Sequence, residues 1–232
     1  MKYALVNGII LDGSKDMQPV KGKAVLVDGD KIVGIVSDLS SIFGYKVIDL
    51  KGGYLLPGMI NLHVHIPGSG EPKDKPLDVG KVIKLVTANK LTREVLKKMY
   101  INYAQTEVYS GVTTIRSVGG VENYDTWLRD TIASGKIYGP RVLAGNMAIS
   151  VPKGHMAGTL AVIAHNAEIA GIGDETGSIE VGKSADFLVV ENNPLEDLTA
   201  LRDVKLVAVR GRFKKNPEIK RFRKVEEELN IL

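Results

Sequence analysis

The 232-residue sequence has no cysteine, a single tryptophan, four histidines and few aromatic residues. Without cysteine, a disulfide-stapled scaffold, a thiolate zinc site and a cysteine nucleophile are all excluded. No apolar run approaches the roughly 20 residues that a membrane helix needs. The opening residues Met1–Gly8 do not resemble a signal peptide, because the Asn7-Gly8 turn signal interrupts them before an apolar stretch develops. The expectation is a soluble cytoplasmic protein with no membrane partner. Hydrophobic residues make up 44% of the chain, enough for a real core in one large domain or two small ones.

Charge of one sign is also scarce outside the end of the chain. The net charge is +4, from 31 Lys and Arg against 27 Asp and Glu. From Gly211 onward there are seven basic residues (Arg212, Lys214, Lys215, Lys220, Arg221, Arg223, Lys224) and four acidic ones (Glu218, Glu226, Glu227, Glu228). The remainder is nearly neutral. A basic tail can bind nucleic acid, but only Phe213 and Phe222 offer stacking faces there. The segment reads instead as a solvated, partly helical surface stretch, and nucleic acid is not an expected partner.

What is present falls into three parts. The first ~57 residues alternate short aliphatic runs with turn signals, the pattern of a small β domain. The runs are Tyr3–Val6, Ile9–Leu11, Ala24–Val27, Ile32–Val36 and Val47–Leu50, and Gly29 in Asp28-Gly29-Asp30 suits a tight hairpin. From Tyr54 the character changes. Leu55-Leu56-Pro57-Gly58 leads into a strand over Met59–His65, and a loop over Pro67–Pro76 follows. Helical patterning then runs from Asp78 to Ser110, with breaks near Asn89 and Thr92. A strand over Val112–Val118, a helix over Asn123–Ser134 and a strand over Arg141–Gly145 complete a parallel β/α pattern. A helix is expected over Thr159–Ala170, and after it the chain returns to short strands, a turn-rich one at Gly177–Gly182 and further ones at Ala185–Val190 and Val204–Val209.

His63 and His65 stand two apart on one strand, so both imidazoles project to one face and can serve one metal ion. By itself His-x-His is a weak signal, and two incidental strand histidines are the competing reading. The position adds weight, because catalytic groups in β/α barrels gather at the C-terminal ends of the strands.

Pro57-Gly58-Met59-Ile60-Asn61-Leu62-His63-Val64-His65 resembles the barrel-opening motif of the metal-dependent amidohydrolase superfamily, in its imidazolonepropionase-like and Xaa-Pro dipeptidase-like branch. Ser110–Gly120, Leu128–Asp130, Gly139–Ala144, Gly154–Gly158, Gly177–Asp186 and Asn193–Asp197 agree with it. The resemblance implies a (β/α)₈ barrel with a β-sandwich made from both chain ends. It implies a divalent metal, often zinc, that supports attack of water on an amide or cyclic-amide carbon. His63 and His65 would be metal ligands, and His155 would lie where substrate can touch it or would cap the barrel as a loop residue.

Such a barrel takes about 250 residues by itself, whereas roughly a hundred separate Met59 from Thr159, room for three β/α units at about 30 each. The expected fold is therefore α/β plus β: a partial TIM-like barrel over 58–171, and a sandwich from 1–57 and 172–232. A large internal deletion is placed at Ile163-Ala164-His165, with the ligands of the later strands lost. His165 faintly resembles the strand-five histidine of the family but reads better as an exposed helix residue. Asn61 stands where many relatives carry Asp. Asp186 reads as structural, and Arg116 and Arg129 as ion-pairing or substrate-positioning groups. Two function readings follow. One is a metal-dependent hydrolase of C–N bonds in cyclic amides or dipeptide-like molecules, working as a homo-oligomer. The other is a catalytically inert relative that serves as a scaffold or assembly partner. A nucleic-acid-binding tail on an inert core ranks last.

Overall fold

The computed structural model describes residues 1–66, 68, 79–146, 171–218 and 227. In chain order the elements are β1 (Lys2–Val6), β2 (Ile9–Ile10), β3 (Ala24–Asp28), β4 (Lys31–Val36), β5 (Lys46–Asp49), β6 (Tyr54–Pro57) and β7 (Met59–Val64). They continue with α1 (Val79–Val86), α2 (Lys90–Tyr109), β8 (Val112–Ser117), α3 (Tyr124–Ala133), β9 (Arg141–Leu143), β10 (Phe187–Val190), β11 (Val204–Val209) and β12 (Arg212–Lys215). Among the described residues the chain divides into two compact units. One comprises residues 1–62, 108–114 and 171–217, and the other 63–107, 115–146, 218 and 227.

In the first unit a four-stranded sheet of order β4-β3-β1-β5 and a five-stranded sheet of order β12-β11-β10-β6-β2 share one core. Leu5, Val25, Val27, Ile32 and Ile48 from the first sheet meet Leu55, Phe187, Val189, Leu206 and Ala208 from the second. Side chains alternate along a strand, so the unbroken apolar run Ala24–Val27 feeds two faces. Val25 and Val27 enter this core, while Ala24 and Leu26 join Ala4 and Val6 in a second cluster on the opposite face.

The C-terminal segments are stitched to the N-terminal ones. Phe187 pairs with Pro57 on one side and Ala208 on the other. The β11–β12 loop is the two residues Arg210 and Gly211, at φ 49° and 67°, as a hairpin turn of type I′ requires. A non-glycine residue is uncommon there. The buried Asp186 holds it, accepting the Arg210 backbone N–H at 2.7 Å and the Thr176 hydroxyl at 3.0 Å. The structural role read for Asp186 is thus observed.

One expectation fails and another holds only in part. Gly177–Gly182 is not a strand but a run of turns, because Gly177 and Gly182 sit at φ 98° and 93°. One isolated bridge, Lys31 to Ser184, and the Ile179 N–H bonded to the Asp12 carbonyl tie the segment down. The tail from Gly211 was expected to be a solvated, partly helical surface stretch; Arg212, Lys214 and Lys215 are indeed exposed, but Arg212–Lys215 is a paired strand. Phe213 anchors it, its ring 4.8 Å from that of Tyr3 and packed on the core. Tyr54–Pro57, read only as a lead-in, is a strand of the five-stranded sheet. The expected helix over 159–170, the junction at 163–165, His155 and His165 lie outside the described residues, as does the loop over 67–76 apart from Gly68.

The remaining strands form a three-stranded sheet of order β7-β8-β9. Bonds from Met59 N–H to Gly111 O and from Val118 N–H to Val64 O show that β7 and β8 run parallel. The expected break near Asn89 and Thr92 is a helix boundary. Thr92 N–H donates to Asn89 Oδ1 and Asn89 N–H to Thr92 Oγ1, both at 3.1 Å, a reciprocal cap that starts α2. Leu96, Tyr100, Ala104 and Val108 then bury one stripe of that helix.

Candidate metal-binding histidine pair

His63 lies on β7 and His65 one residue past its end. Their ring centroids are 5.3 Å apart in an edge-to-face arrangement, so the i, i+2 spacing does bring both imidazoles to one place. The surroundings of His65 settle how it can bind. Its Nδ1 lies 3.1 Å from the carbonyl oxygen of Gly119. A carbonyl only accepts, so Nδ1 carries the proton, and in the neutral ring Nε2 presents a bare lone pair. That Nε2 is buried and has no hydrogen-bond partner among the described residues.

A buried acceptor left unmade costs about 1–3 kcal/mol. A metal-ligating histidine typically donates its other ring N–H to a backbone carbonyl or carboxylate, which fixes the tautomer. The donor set at His65 therefore fits a divalent cation. It does not complete a site: among the described residues no group of three His, Asp or Glu could hold one ion.

The loop after β8 that carries Gly119 is fixed on both sides of that residue. Val118 N–H bonds to Val64 O at 3.1 Å, Gly120 N–H to Asn146 O at 2.7 Å, and Val121 N–H to the Tyr100 hydroxyl at 2.8 Å. Glu122, at φ 49°, is clamped by Arg93 at 2.6 Å. Beneath the loop lies Asp125, fully buried at the start of α3. Its Oδ2 accepts the Ser117 hydroxyl at 2.5 Å and the Asn146 N–H at 3.1 Å. Gly120 packs against this carboxyl so closely that a Cβ there would sit 2.8 Å from Asp125 Cγ and closer still to Oδ1.

Burial pushes the Asp125 carboxyl above its ordinary value, and the bonds from Ser117 and Asn146 only partly offset this. The sign of the resulting pH dependence follows from linkage. A carboxyl with a raised folded-state pKa favours the fold while protonated, and that contribution is lost as pH rises through the folded pKa. Asp125→Asn keeps an acceptor and removes the charge. The stability of this variant relative to the parent is expected to be more favourable at pH 7 than at pH 4, read from urea midpoints. A difference that is flat or reversed between these pH values contradicts the assignment.

The other candidates fall elsewhere. Arg129 is exposed and pairs with its neighbour Asp130 at 2.8 Å, the ion-pairing role. Arg116 is exposed on β8, and Asn61 is part-buried on β7. Asp125, Tyr100 and Asn146 were not anticipated. The Gly119-Gly120 pair directly after a strand was the available signal, since adjacent glycines mark a close backbone approach.

The sequence profile of the Amidohydrolase family matches residues 54–164 and 164–214, more than half of the chain, in two segments that meet at Ala164. A dihydroorotase from Bacillus pumilus is 34% identical over 82 residues, 34% of this chain and 18% of that protein. A 5-methylthioadenosine/S-adenosylhomocysteine deaminase from Bacillus thuringiensis is 34% identical over 68 residues, 28% of this chain and 16% of that protein. The matched stretches thus span under a fifth of either relative. Among solved structures, a Bifidobacterium longum protein described as a prolidase superimposes with a TM-score of 0.80 at 18% identity, covering 99% of this chain and 98% of that one. A Xaa-Pro dipeptidase with bound methionine gives 0.72 at 16%, covering 93% and 100%. At these identities the structural likeness speaks for the fold, and the profile match speaks for descent. With the barrel-opening histidine pair and the strand–helix order in place, the chain belongs to the amidohydrolase family.

Proposed function

We propose that this chain is a metal-dependent hydrolase of carbon–nitrogen bonds whose substrates are small cyclic amides or dipeptide-like molecules. The observation that carries the reading is the buried Nε2 of His65, without a hydrogen-bond partner among the described residues, with its tautomer set by Gly119. His63 and His65 would hold the divalent ion, zinc by the family's habit. When bound, that ion would polarise the amide carbonyl and lower the pKa of an attacking water. The chain's own part is to orient the pair and to keep His65 Nδ1 protonated. His155 is the substrate-contact candidate. The dihydroorotase and the Xaa-Pro dipeptidase among the similar proteins agree with the substrate class.

In this reading the chain comprises a sandwich from 1–57 and 172–232 and about three barrel units over 58–171. The two profile segments meeting at residue 164 support the internal deletion. A catalytic zinc site normally has three protein ligands; His63 and His65 supply two among the described residues, and in this reading a second copy of the chain supplies the remainder. A homo-oligomer also suits a three-stranded sheet whose outer strands, β7 and β9, each have one strand neighbour among the described residues. No described helix is long and apolar enough to cross a membrane, in keeping with a cytoplasmic setting. The second reading is a catalytically inert scaffold, favoured by the lack of a three-ligand cluster among the described residues.

Metal content separates the two. Purified without chelator, the chain is expected to retain Zn, Mn or Fe, and the His63→Ala/His65→Ala double variant to lose it at an unchanged oligomeric state. Less than ~0.1 equivalent of metal per parent chain sinks the hydrolase reading in favour of the scaffold.

A further inference from the structure

We propose that Asp125 is a positioning residue for His65: by clamping the Ser117–Gly120 turn it fixes the Gly119 carbonyl that dictates which imidazole nitrogen is free for a divalent cation. The inference deepens the hydrolase reading and rests on it for the identity of the ligand, though not for the coupling itself.

The coupling is a chain of contacts. Asp125 Oδ2 holds both ends of the turn's framework, accepting from Ser117 Oγ at the end of β8 and from the backbone of Asn146 past β9. Asn146 returns its own carbonyl to Gly120 N–H at 2.7 Å. Its side-chain Oδ1 accepts from Thr126 Oγ1 at 2.8 Å and Thr126 N–H at 3.2 Å, so the loop and the start of α3 are locked to one residue. Gly120 rests on the carboxyl with no space for a Cβ. Gly119, one residue earlier, is thereby held with its carbonyl 3.1 Å from His65 Nδ1. The Tyr100 hydroxyl pins the far side through Val121.

Strand β7 holds the turn only at Val118, through Val64 O; past it, the carboxyl and Asn146 set the orientation of Gly119 and Gly120. In water a neutral imidazole prefers its proton on Nε2. The turn imposes the opposite tautomer on His65, exposing Nε2 as the ligand. Without Asp125, Ser117 and Asn146 lose a shared acceptor and Gly120 loses its floor. The Gly119 carbonyl is then free to rotate away, and His65 reverts to the Nε2–H form.

The test is long-range ¹H–¹⁵N correlation of the histidine rings in the full-length, metal-free chain above the histidine titration range, with Zn²⁺ titrated separately. The parent is expected to show His65 protonated at Nδ1 and bare at Nε2. Asp125→Ala, checked for native circular dichroism, is expected to shift the ring toward Nε2–H and to weaken Zn²⁺ binding about 10-fold. Asp125→Asn, which keeps the acceptor and the volume, restores the parental tautomer. Should Asp125→Ala fail to fold, Ser117→Ala removes one of the two bonds without opening a large cavity and gives a partial shift. A folded Asp125→Ala or Ser117→Ala chain with an unchanged tautomer overturns the proposal, as does a parent already in the Nε2–H form. A tautomer that moves in a chain that never binds Zn²⁺ upholds the positioning role and overturns only the metal reading.

Discussion

Phe187→Ala is expected to lower the unfolding free energy by about 3–5 kcal/mol, the range for truncating a large buried aromatic. Phe187 has no exposed surface and lies on the central strand of the five-stranded sheet, between Pro57 of β6 and Ala208 of β11. The cavity cannot collapse easily, because both neighbouring strands are held in register by backbone ladders. Phe43 supplies the control, since its side chain is 96% exposed. Phe43→Ala makes the same chemical change and is expected to fall within about 0.5 kcal/mol of the parent. Urea unfolding of the two variants beside the parent measures both. Similar midpoints for the two would show that the shared core of the two sheets is not what stabilises the sandwich.

Gly211→Ala is expected to cost about 3 kcal/mol, from two sources that add. The residue sits at φ 67°, where a Cβ costs about 1–2 kcal/mol. The new methyl would also run into the carbonyl oxygen of Gly29, with the carbonyl carbon at 3.0 Å. Both partners are backbone in tight hairpin loops, since Gly29 itself turns at φ 61° between β3 and β4. Neither loop can yield without breaking its ladder, and overpacking of this kind costs about 1–3 kcal/mol. Gly22 isolates the first contribution, being at φ 72° with nothing within 4 Å of a built Cβ. Gly22→Ala therefore carries the conformational cost alone, about 1–2 kcal/mol. If chemical denaturation finds Gly211→Ala no worse than Gly22→Ala, the contact with the Gly29 loop contributes nothing.

These two substitutions bear on a segment that local patterning read only in part. Val204–Val209 was plain as a strand because it is an apolar β-branched run. Arg212–Lys215 was hidden, because three of its four residues are basic. A polar edge strand has no alternation to display, and its pairing depends on the hairpin at Arg210-Gly211 and on Phe213 reaching Tyr3. Gly177–Gly182 failed in the opposite sense: it was read as a turn-rich strand, whereas the positive φ values of the flanking glycines leave only the turns.

By itself, the sequence determined the features that arise from neighbours a few residues apart. Short aliphatic runs between turn signals located most of the sandwich strands, helical patterning closed by glycines located the helices, and the i, i+2 spacing put His63 and His65 on one face. Those are consequences of backbone geometry, so they can be read before any fold is known. Only the tertiary structure decided the tautomer of His65. Asp125 is one acidic residue near a helix start until the fold buries it, and Gly119 is an ordinary turn residue until β7 and β8 run side by side. The tautomer of His65 and the burial of Asp125 depend on contacts spanning residues 65 to 146. Desolvation and hydrogen-bond geometry are properties of what surrounds a group, and that environment comes from distant parts of the chain.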